Sequence, residues 1–485
     1  MPWPDIAAPV RMRRIALVTP GGSLRDMLVL VADAGVVEID QVDQEQDLAA
    51  GAARRLQHAG QAATTPALSP RPPDLDALEA ACRYDLLAGE AQLEARSAAA
   101  VTRSAAAALA GWAPASCLPG IAARIAPVGG TVVPLRHPRG MQAPTLLGGP
   151  AIRQSLTPLV QTYGTVPYAD LDPTWLAWAS YVLMFGMMFG DVGQGLLLIA
   201  AAVALRAGRP RCGRRFRAAW PFVGGAGAAA TGFGFLYGEC FGPTGLVPRI
   251  WLNPLTGPVT LLLVAVGAGA VLLAGAYALG TVNRWREGGW PLALYAPSGI
   301  AGTSLFLGIG ILAGGWHLHR APLLGLGGFV ALAGLVLAFG GFLAEGGGGW
   351  TGIVQASVEL FDLVVRLGSN VVSFARLAAF GLTHAALGLV VWEGTRALWH
   401  HGGLQAAAAV AVFSVGTALA FSLEALVAAI QALRLEYYEL FSRIFVTQGR
   451  PFRPWHVPTA VGDEAPVTDD ADCSDGKEGA ACLPG

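Results

Sequence analysis

Two arginines stand inside long apolar runs, Arg376 in SNVVSFARLAAFGLTHAALGLVV and Arg434 in FSLEALVAAIQALRLEYYEL. An arginine at the centre of a bilayer costs about 2.5 to 3.5 kcal/mol on insertion scales and is tolerated mainly where it faces protein or water, so function is the default expectation for both. The guanidinium stays protonated at any accessible pH. It can therefore attract a carboxylate on a moving partner and favour its ionised form, making it release a proton that the arginine itself never accepts. It also stands as a fixed positive barrier between two water-filled half-channels. Glu424 and His384 are titratable and suited to relaying protons on either side of that barrier.

Helical spacing groups these residues. Ser369, Ser373, Arg376, Thr383 and His384 fall on one stripe at steps of three, four, seven and eight, and Glu424, Gln431, Arg434 and Tyr438 form another on the last helix. Competing structural readings exist for each. Arg376 or Arg434 could snorkel to an interface, Arg434 more readily because it lies nearer a helix end. Glu424 could serve as an interhelical hydrogen-bonding group and His384 as a buried structural histidine. Asp191 and Gln194 read as helix terminators.

The elements that must hold these side chains lie in the most apolar part of the chain. Of 485 residues 13% are charged, and mean hydropathy is +0.51. Soluble chains carry roughly a quarter charged residues, so a membrane protein is expected. Residues 174–438 hold only 23 charged side chains in 265 positions. The run Thr174 to Leu205 would be about 48 Å long as one helix, against a hydrocarbon core of ~30 Å. The loop RAGRPRCGRRFR at 206–217 carries six arginines and is cytoplasmic by the positive-inside rule, so the run splits at Gly190 and Asp191 into two short helices. Further helices are expected at 218–238, 258–281, 293–315, 322–343, 367–398 and 405–438, eight in all, the last two long and tilted. Arg284, Arg286, Arg366, Arg443, Arg450 and Arg453 then lie on the cytoplasmic side and Arg249, Arg320 and Arg396 opposite, with both termini inside. Glycines 346–349 read as a flexible connection.

Outside this region the chain reads as ordinary amphipathic protein. MRRIALVT at 12–19 and VVEI at 36–39 are expected strands around a helix at 23–34, a small βαβ-like unit. Residues 74–110 read as one long helix, half of a coiled hairpin with 43–60. A second small α/β piece follows GWAP at 111–114, and 134–173 reads as a Pro- and Gly-rich linker. The acidic tail after Trp455, with Asp463, Glu464, Asp469, Asp470 and Asp472, reads as solvated and disordered. The expected domains are 1–165, a cytoplasmic α/β and coiled-hairpin domain; 166–440, a polytopic helical membrane domain; and 441–485, a cytoplasmic tail.

Several chemistries are excluded. Only one of the 32 basic residues, Lys477, is lysine, so no phosphate-binding G-x-x-x-x-G-K-[ST] loop exists, and none of the eight histidines forms H-E-x-x-H. The six cysteines show no C-x-x-C spacing. The net charge of -1 makes nucleic acid an unpromising partner. No cofactor, metal or catalytic site of the chain's own is expected. The N-terminus lacks the apolar core of a signal peptide, which keeps the front domain in the cytoplasm.

SFARLAAFGLTHAALG at 373–388, EALVAAIQALRLEYYELF at 424–441, DPTWLAWASYVLMFGMMFGDVGQG at 172–195 and GFGFLYGECFG at 232–242 resemble, in order, the membrane subunit of V/A-type rotary ATPases, subunit a of the vacuolar enzyme and subunit I in bacteria and archaea. YGTVPYADLDPT at 163–174 and GWAP also fit. The glycines of GFGFLYGECFG suit close helix packing, with Glu239 its one residue capable of chemistry. The resemblance implies an eight-helix membrane domain in a bacterial plasma membrane. It makes Arg376 the arginine facing the carboxylate of a rotating proteolipid ring, with Arg434 its partner on the next helix and Glu424 and His384 at positions tied to proton transfer. Implied partners are that ring, peripheral-stalk subunits, the central-stalk subunit capping the ring, and lipids. The front domain is shorter than the family's usual one, which leaves its stalk contacts open. A proton-coupled secondary transporter is the alternative, but it calls for two repeated halves that the sequence does not display. A purely structural anchor would need no intramembrane arginine.

Overall fold

A computed structural model describes residues 9–40, 51–58, 65–136, 141–149, 151–208, 217–347, 349–399, 403–445 and 449–460. Among these, 9–149 with 449–460 form one compact unit and 151–445 another.

The first unit begins with β1 (Met12–Pro20) and α1 (Leu24–Ala34), followed by β2 (Glu38–Ile39). β1 sends Ile15, Leu17 and Thr19 inward at the two-residue period of a strand. α1 ends on Gly35, whose φ of 61° is the left-handed cap that lets its N–H reach Val31 O. Then come α2 (Ala52–His58), α3 (Leu75–Ala80), α4 (Tyr84–Ala98), β3 (Val101–Arg103), β4 (Ala106–Pro114), α5 (Leu118–Ile125) and β5 (Thr131–Pro134). The strand order is β2-β4-β1-β5, with every neighbouring pair antiparallel. β1 and β2 are thus parallel with β4 between them, a split form of the expected βαβ unit.

The long helix expected over 74–110 is not formed. The chain turns at Cys82 (φ 53°), and 101–114 becomes two strands, β4 pairing with the whole of β1 from Met12↔Pro114 to Pro20↔Ala106. The helix preference of its alanines is worth only tenths of a kcal/mol per residue, less than pairing on both edges of a strand. The coiled hairpin reduces to the short α2 against α4; 43–50, 59 and 60 lie outside the described residues. At Gly89 of α4 a Cβ would collide with the backbone of Ala67. Gly89→Ala is therefore expected to lower stability by roughly 1–3 kcal/mol, read as a drop in the thermal unfolding midpoint.

Residues 449–460 are not a solvated tail. Trp455 is 6% exposed and Val457 fully buried in the core of this unit, with Ile15, Met27 and Val31. The backbone bonds Trp455 N–H to Val37 O and Val457 N–H to Ala32 O, and Arg450 pairs with Glu38. The tail acids from Asp463 onward lie outside the described residues.

The second unit opens with α6 (Ala151–Tyr163), a helix where the sequence suggested a linker. It buries Leu156, Leu159 and Val160 on one face and forms a buried ion pair from Arg153 to Asp172. Asp172 also accepts from Thr174 N–H at 2.9 Å and so starts α7 (Thr174–Met188). α8 (Val192–Arg206) follows, capped by Asp191, whose carboxylate accepts from Gln194 N–H at 2.9 Å. The expected split of this apolar run falls here. The remaining helices are α9 (Trp220–Tyr237), α10 (Pro258–Tyr295), α11 (Ile300–His317), α12 (Ala321–Glu345), α13 (Gly349–Ser373), α14 (Ala375–Trp399) and α15 (Leu404–Leu435). A π-helical turn at Glu436–Phe441 leads into α16 (Ser442–Ile444).

Among the described residues five stretches are long and apolar enough to cross a membrane: Pro258–Tyr295, Ile300–His317, Ala321–Glu345, Gly349–Trp399 and Gln405–Ile444. α7 and α8 are shorter apolar helices. Three boundaries differ from expectation, the first being that α11 starts at Ile300 rather than 293. α10 continues past 281 through a bend at Gly289 (φ 72°) that precedes Pro291, so Arg284 and Arg286 are helical. α13 begins at Gly349 rather than 367, because apolar Ile353, Val354, Val358, Phe361 and Val365 alternate with Gln355, Glu359, Asp362 and Arg366 at helical period.

Before α7, Asp170 is fully buried. Burial, and secondarily the Glu287 carboxylate, push its pKa up to about 8 against the opposing pull of Arg284 and Arg286. The folded chain keeps a proton there that the unfolded chain releases near pH 4. This contribution to stability is complete below about pH 4 and is lost as pH rises to about 8. The unfolding midpoint should fall across that window, and Asp170→Asn should flatten the fall.

Candidate functional site

The polar stripe expected around Arg376 is interrupted by a helix break. α13 ends at Ser373 and α14 starts at Ala375, with Phe374 fully buried between them against Gly269 of α10. Ser373 hydroxyl donates to Glu439 and accepts from Arg376 Nη2 at 3.4 Å. The other terminal nitrogen of Arg376, Nη1, is buried with no hydrogen-bond partner among the described residues. The guanidinium is half-buried and holds donors in reserve.

About two turns further along α14, His384 is buried at 5% exposure. Its Nδ1 lies 2.5 Å from Glu424 Oε2 on α15, and its ring centroid is 5.0 Å from that of Phe189. Glu424 Oε1 is buried and unpartnered among the described residues. The pair lies between two cavities. A larger one of about 240 Å³ is lined by Met188, Phe189, Phe380, Leu387 and Leu423, and a small cleft by Gln194, Phe241, Gly242 and Thr417.

The structure thus forms two polar groupings, Arg376–Ser373–Glu439 and His384–Glu424. Gln431 keeps a buried Oε1 on α15 with no partner among the described residues. Ser369, Thr383, Arg434 and Tyr438 are exposed, and the Thr383 hydroxyl is spent on Ala379 O at 2.9 Å.

Sequence reasoning missed two acids and underrated a third. Glu436 is buried and accepts from Ser180 hydroxyl on α7 at 2.6 Å. Glu439 is buried beside Ser373. Ala432, Leu435, Glu436, Glu439 and Leu440 are buried at three- and four-residue steps on a different face from Arg434 and Tyr438, so the stripe through Arg434 and Tyr438 is the exposed one and these two acids lie on the buried one. Glu239, read mainly as part of a packing segment, is 4% exposed and within electrostatic reach of His384, Asp191 and Glu424. Asp191 also accepts from Gly242 N–H at 3.0 Å, so it is more than a helix terminator. The glycine packing expected of 232–242 is present at Gly234, where a Cβ would strike the backbone of Asp191 and Val192.

Apolar helices of crossing length that enclose buried carboxylates, a histidine and an uncommitted guanidinium define an integral membrane protein. Residues 101–219 match the family described as the V-type ATPase 116kDa subunit family. A-type ATP synthase subunit I of Aeropyrum pernix is 28% identical over 369 residues, 65% of this chain and 52% of that protein. The subunit I of Thermococcus kodakarensis is 26% identical over 371 residues, covering 72% and 54%. The V-type ATP synthase subunit I 2 of Treponema pallidum is 39% identical over 104 residues. The chain is similar to the I subunits of A-type and V-type ATP synthases. It spans about half the length of the curated relatives it matches across most of its own length.

Proposed function

We propose that this chain is the ion-translocating stator of a V/A-type rotary ATPase, with two half-channels meeting at Arg376 beside a ring of carboxylate-bearing helices. The observation that carries this reading is the guanidinium of Arg376, half-buried with a buried, unpartnered Nη1, in a region whose neighbour α15 leaves Leu419, Leu423, Leu426 and Ile430 exposed. Such a flank suits a second membrane subunit sliding past. In the proposed cycle a ring carboxylate drops its proton on meeting Arg376 and regains one from the far half-channel. His384 and Glu424 line one half-channel and Glu436 and Glu439 the other. Arg434, exposed near the end of α15, takes the supporting role beside Arg376.

The permanent cation blocks a direct leak. One charge crossing 100 mV involves about 2.3 kcal/mol, all of it dissipated if the half-channels join. Eight membrane segments with both termini in the cytoplasm accommodate α7 to α15 when α7 and α8 form a hairpin and α13 and α14 act as one interrupted span. ATP hydrolysis or synthesis belongs to other subunits, with contacts to peripheral stalks and to the ring-cap subunit made on the cytoplasmic side of a bacterial plasma membrane.

In membrane vesicles carrying the assembled complex, Glu424→Gln should slow ATP-driven proton uptake roughly 100-fold, the scale of losing a positioned proton-transfer group. Unaltered uptake contradicts the proposed relay. Proton flux driven by a solute gradient without ATP would favour a secondary transporter.

A further inference from the structure

At the end of α14 remote from Arg376, Trp392, Thr395, Arg396 and Trp399 recur at the three- and four-residue steps of one helical face. Val410 and Phe413 of α15 stand opposite. These six side chains line a cavity of about 390 Å³. The rings of Trp392 and Phe413 meet edge to face at 6.2 Å. The one charged side chain among these is Arg396, in the last turn of α14, and the Thr395 hydroxyl is spent on Val391 O at 2.8 Å.

We propose that this cavity holds one phospholipid, with an acyl chain between Trp392, Val410 and Phe413 and the phosphate on Arg396. The proposal rests on the reading of α14 and α15 as membrane-spanning and is independent of how ions move. Two indoles and an arginine in the final turn of a spanning helix are the groups that sit at headgroup level, where an amphipathic ring has one side apolar and the other wet. Among the described residues the Arg396 guanidinium pairs with Glu393, at 3.4 Å and with both side chains more than half exposed. Such an exposed pair is weak, and a guanidinium has five N–H donors, so a phosphate can be taken bidentately. An acyl chain alone explains the apolar walls but not the cation at their rim. Free phosphate alone explains the cation but leaves the cavity unfilled.

The test uses the full chain, purified and delipidated in detergent, with native mass spectrometry after adding dioleoyl-phosphatidylglycerol, dioleoylglycerol or inorganic phosphate. The expected result is one tightly retained phosphatidylglycerol, with dioleoylglycerol and inorganic phosphate held at least about tenfold more weakly. Arg396→Gln should weaken retention about tenfold while keeping the fold. Val410→Trp, which fills the cavity, should abolish it with Arg396 still present. Phosphatidylglycerol retained equally by wild type and Arg396→Gln, or dioleoylglycerol retained as well as phosphatidylglycerol, would overturn the phosphate site. Binding of inorganic phosphate as tight as that of the lipid would overturn the lipid assignment. Proton transport is read separately, so failure here leaves the stator reading standing and loss of transport leaves this one standing.

Discussion

Arg376→Ala in the assembled complex is expected to reduce ATP-driven ion uptake into vesicles to below about one hundredth of the wild-type rate, the scale on which losing one preorganised electrostatic group acts. The variant should still fold and insert. Removing an arginine from an apolar helix relieves an insertion cost of about 2.5 to 3.5 kcal/mol, and among the described residues one 3.4 Å bond, to Ser373, is lost. Arg376→Lys should not restore uptake, because a partly buried lysine gives up its proton far more readily than a guanidinium does and ceases to be a permanent barrier. Dye-reported proton uptake and radioactive sodium uptake, measured in parallel, identify the ion. Normal uptake by Arg376→Ala would reduce the chain to a structural anchor.

Arg153→Met is expected to cost about 3 to 5 kcal/mol of stability, the penalty for leaving one partner of a buried ion pair uncompensated. Arg153 and Asp172 have side chains 4% and 0% exposed, so no solvent takes over when the guanidinium goes. Asp172 also receives Thr174 N–H and hydroxyl, so the start of α7 shares the damage. Arg153→Met combined with Asp172→Leu should recover part of the loss, because both charges are then absent. A thermal unfolding series of the two single variants and the double variant checks this. A double variant no more stable than Arg153→Met would mean the loss comes from packing rather than charge.

The membrane helices were legible where composition dominates. The split at Asp191 followed from arginine placement and helix length alone, and the helix ends near 206, 238, 317, 345 and 399 fall within a few residues of expectation. His384 and Glu424 were chosen separately, from different helices, and their 2.5 Å approach is a tertiary fact that spacing within one helix cannot supply. Glu436 and Glu439 were hidden because the stripe through Arg434 and Tyr438 is the exposed face, and the face that carries the two acids is buried only by contacts from other helices, Ser180 of α7 and Ser373 of α13 among them. β4 was hidden for a like reason, since AAALAG is a good helix by propensity and becomes a strand only through β1. The Trp455–Val457 alternation was a readable strand-like signal, masked by the acidic tail beyond it.

The most direct measurement is the position of the Arg376 guanidinium in an electron cryo-microscopy structure of the assembled complex. A ring carboxylate within ~4–6 Å of it in at least one rotational state, close enough to shift a proton equilibrium, with the exposed flank of α15 covered by the ring, is the predicted result. A guanidinium surrounded by lipid tails or headgroups in every state, with no neighbouring helix on that flank, would contradict it.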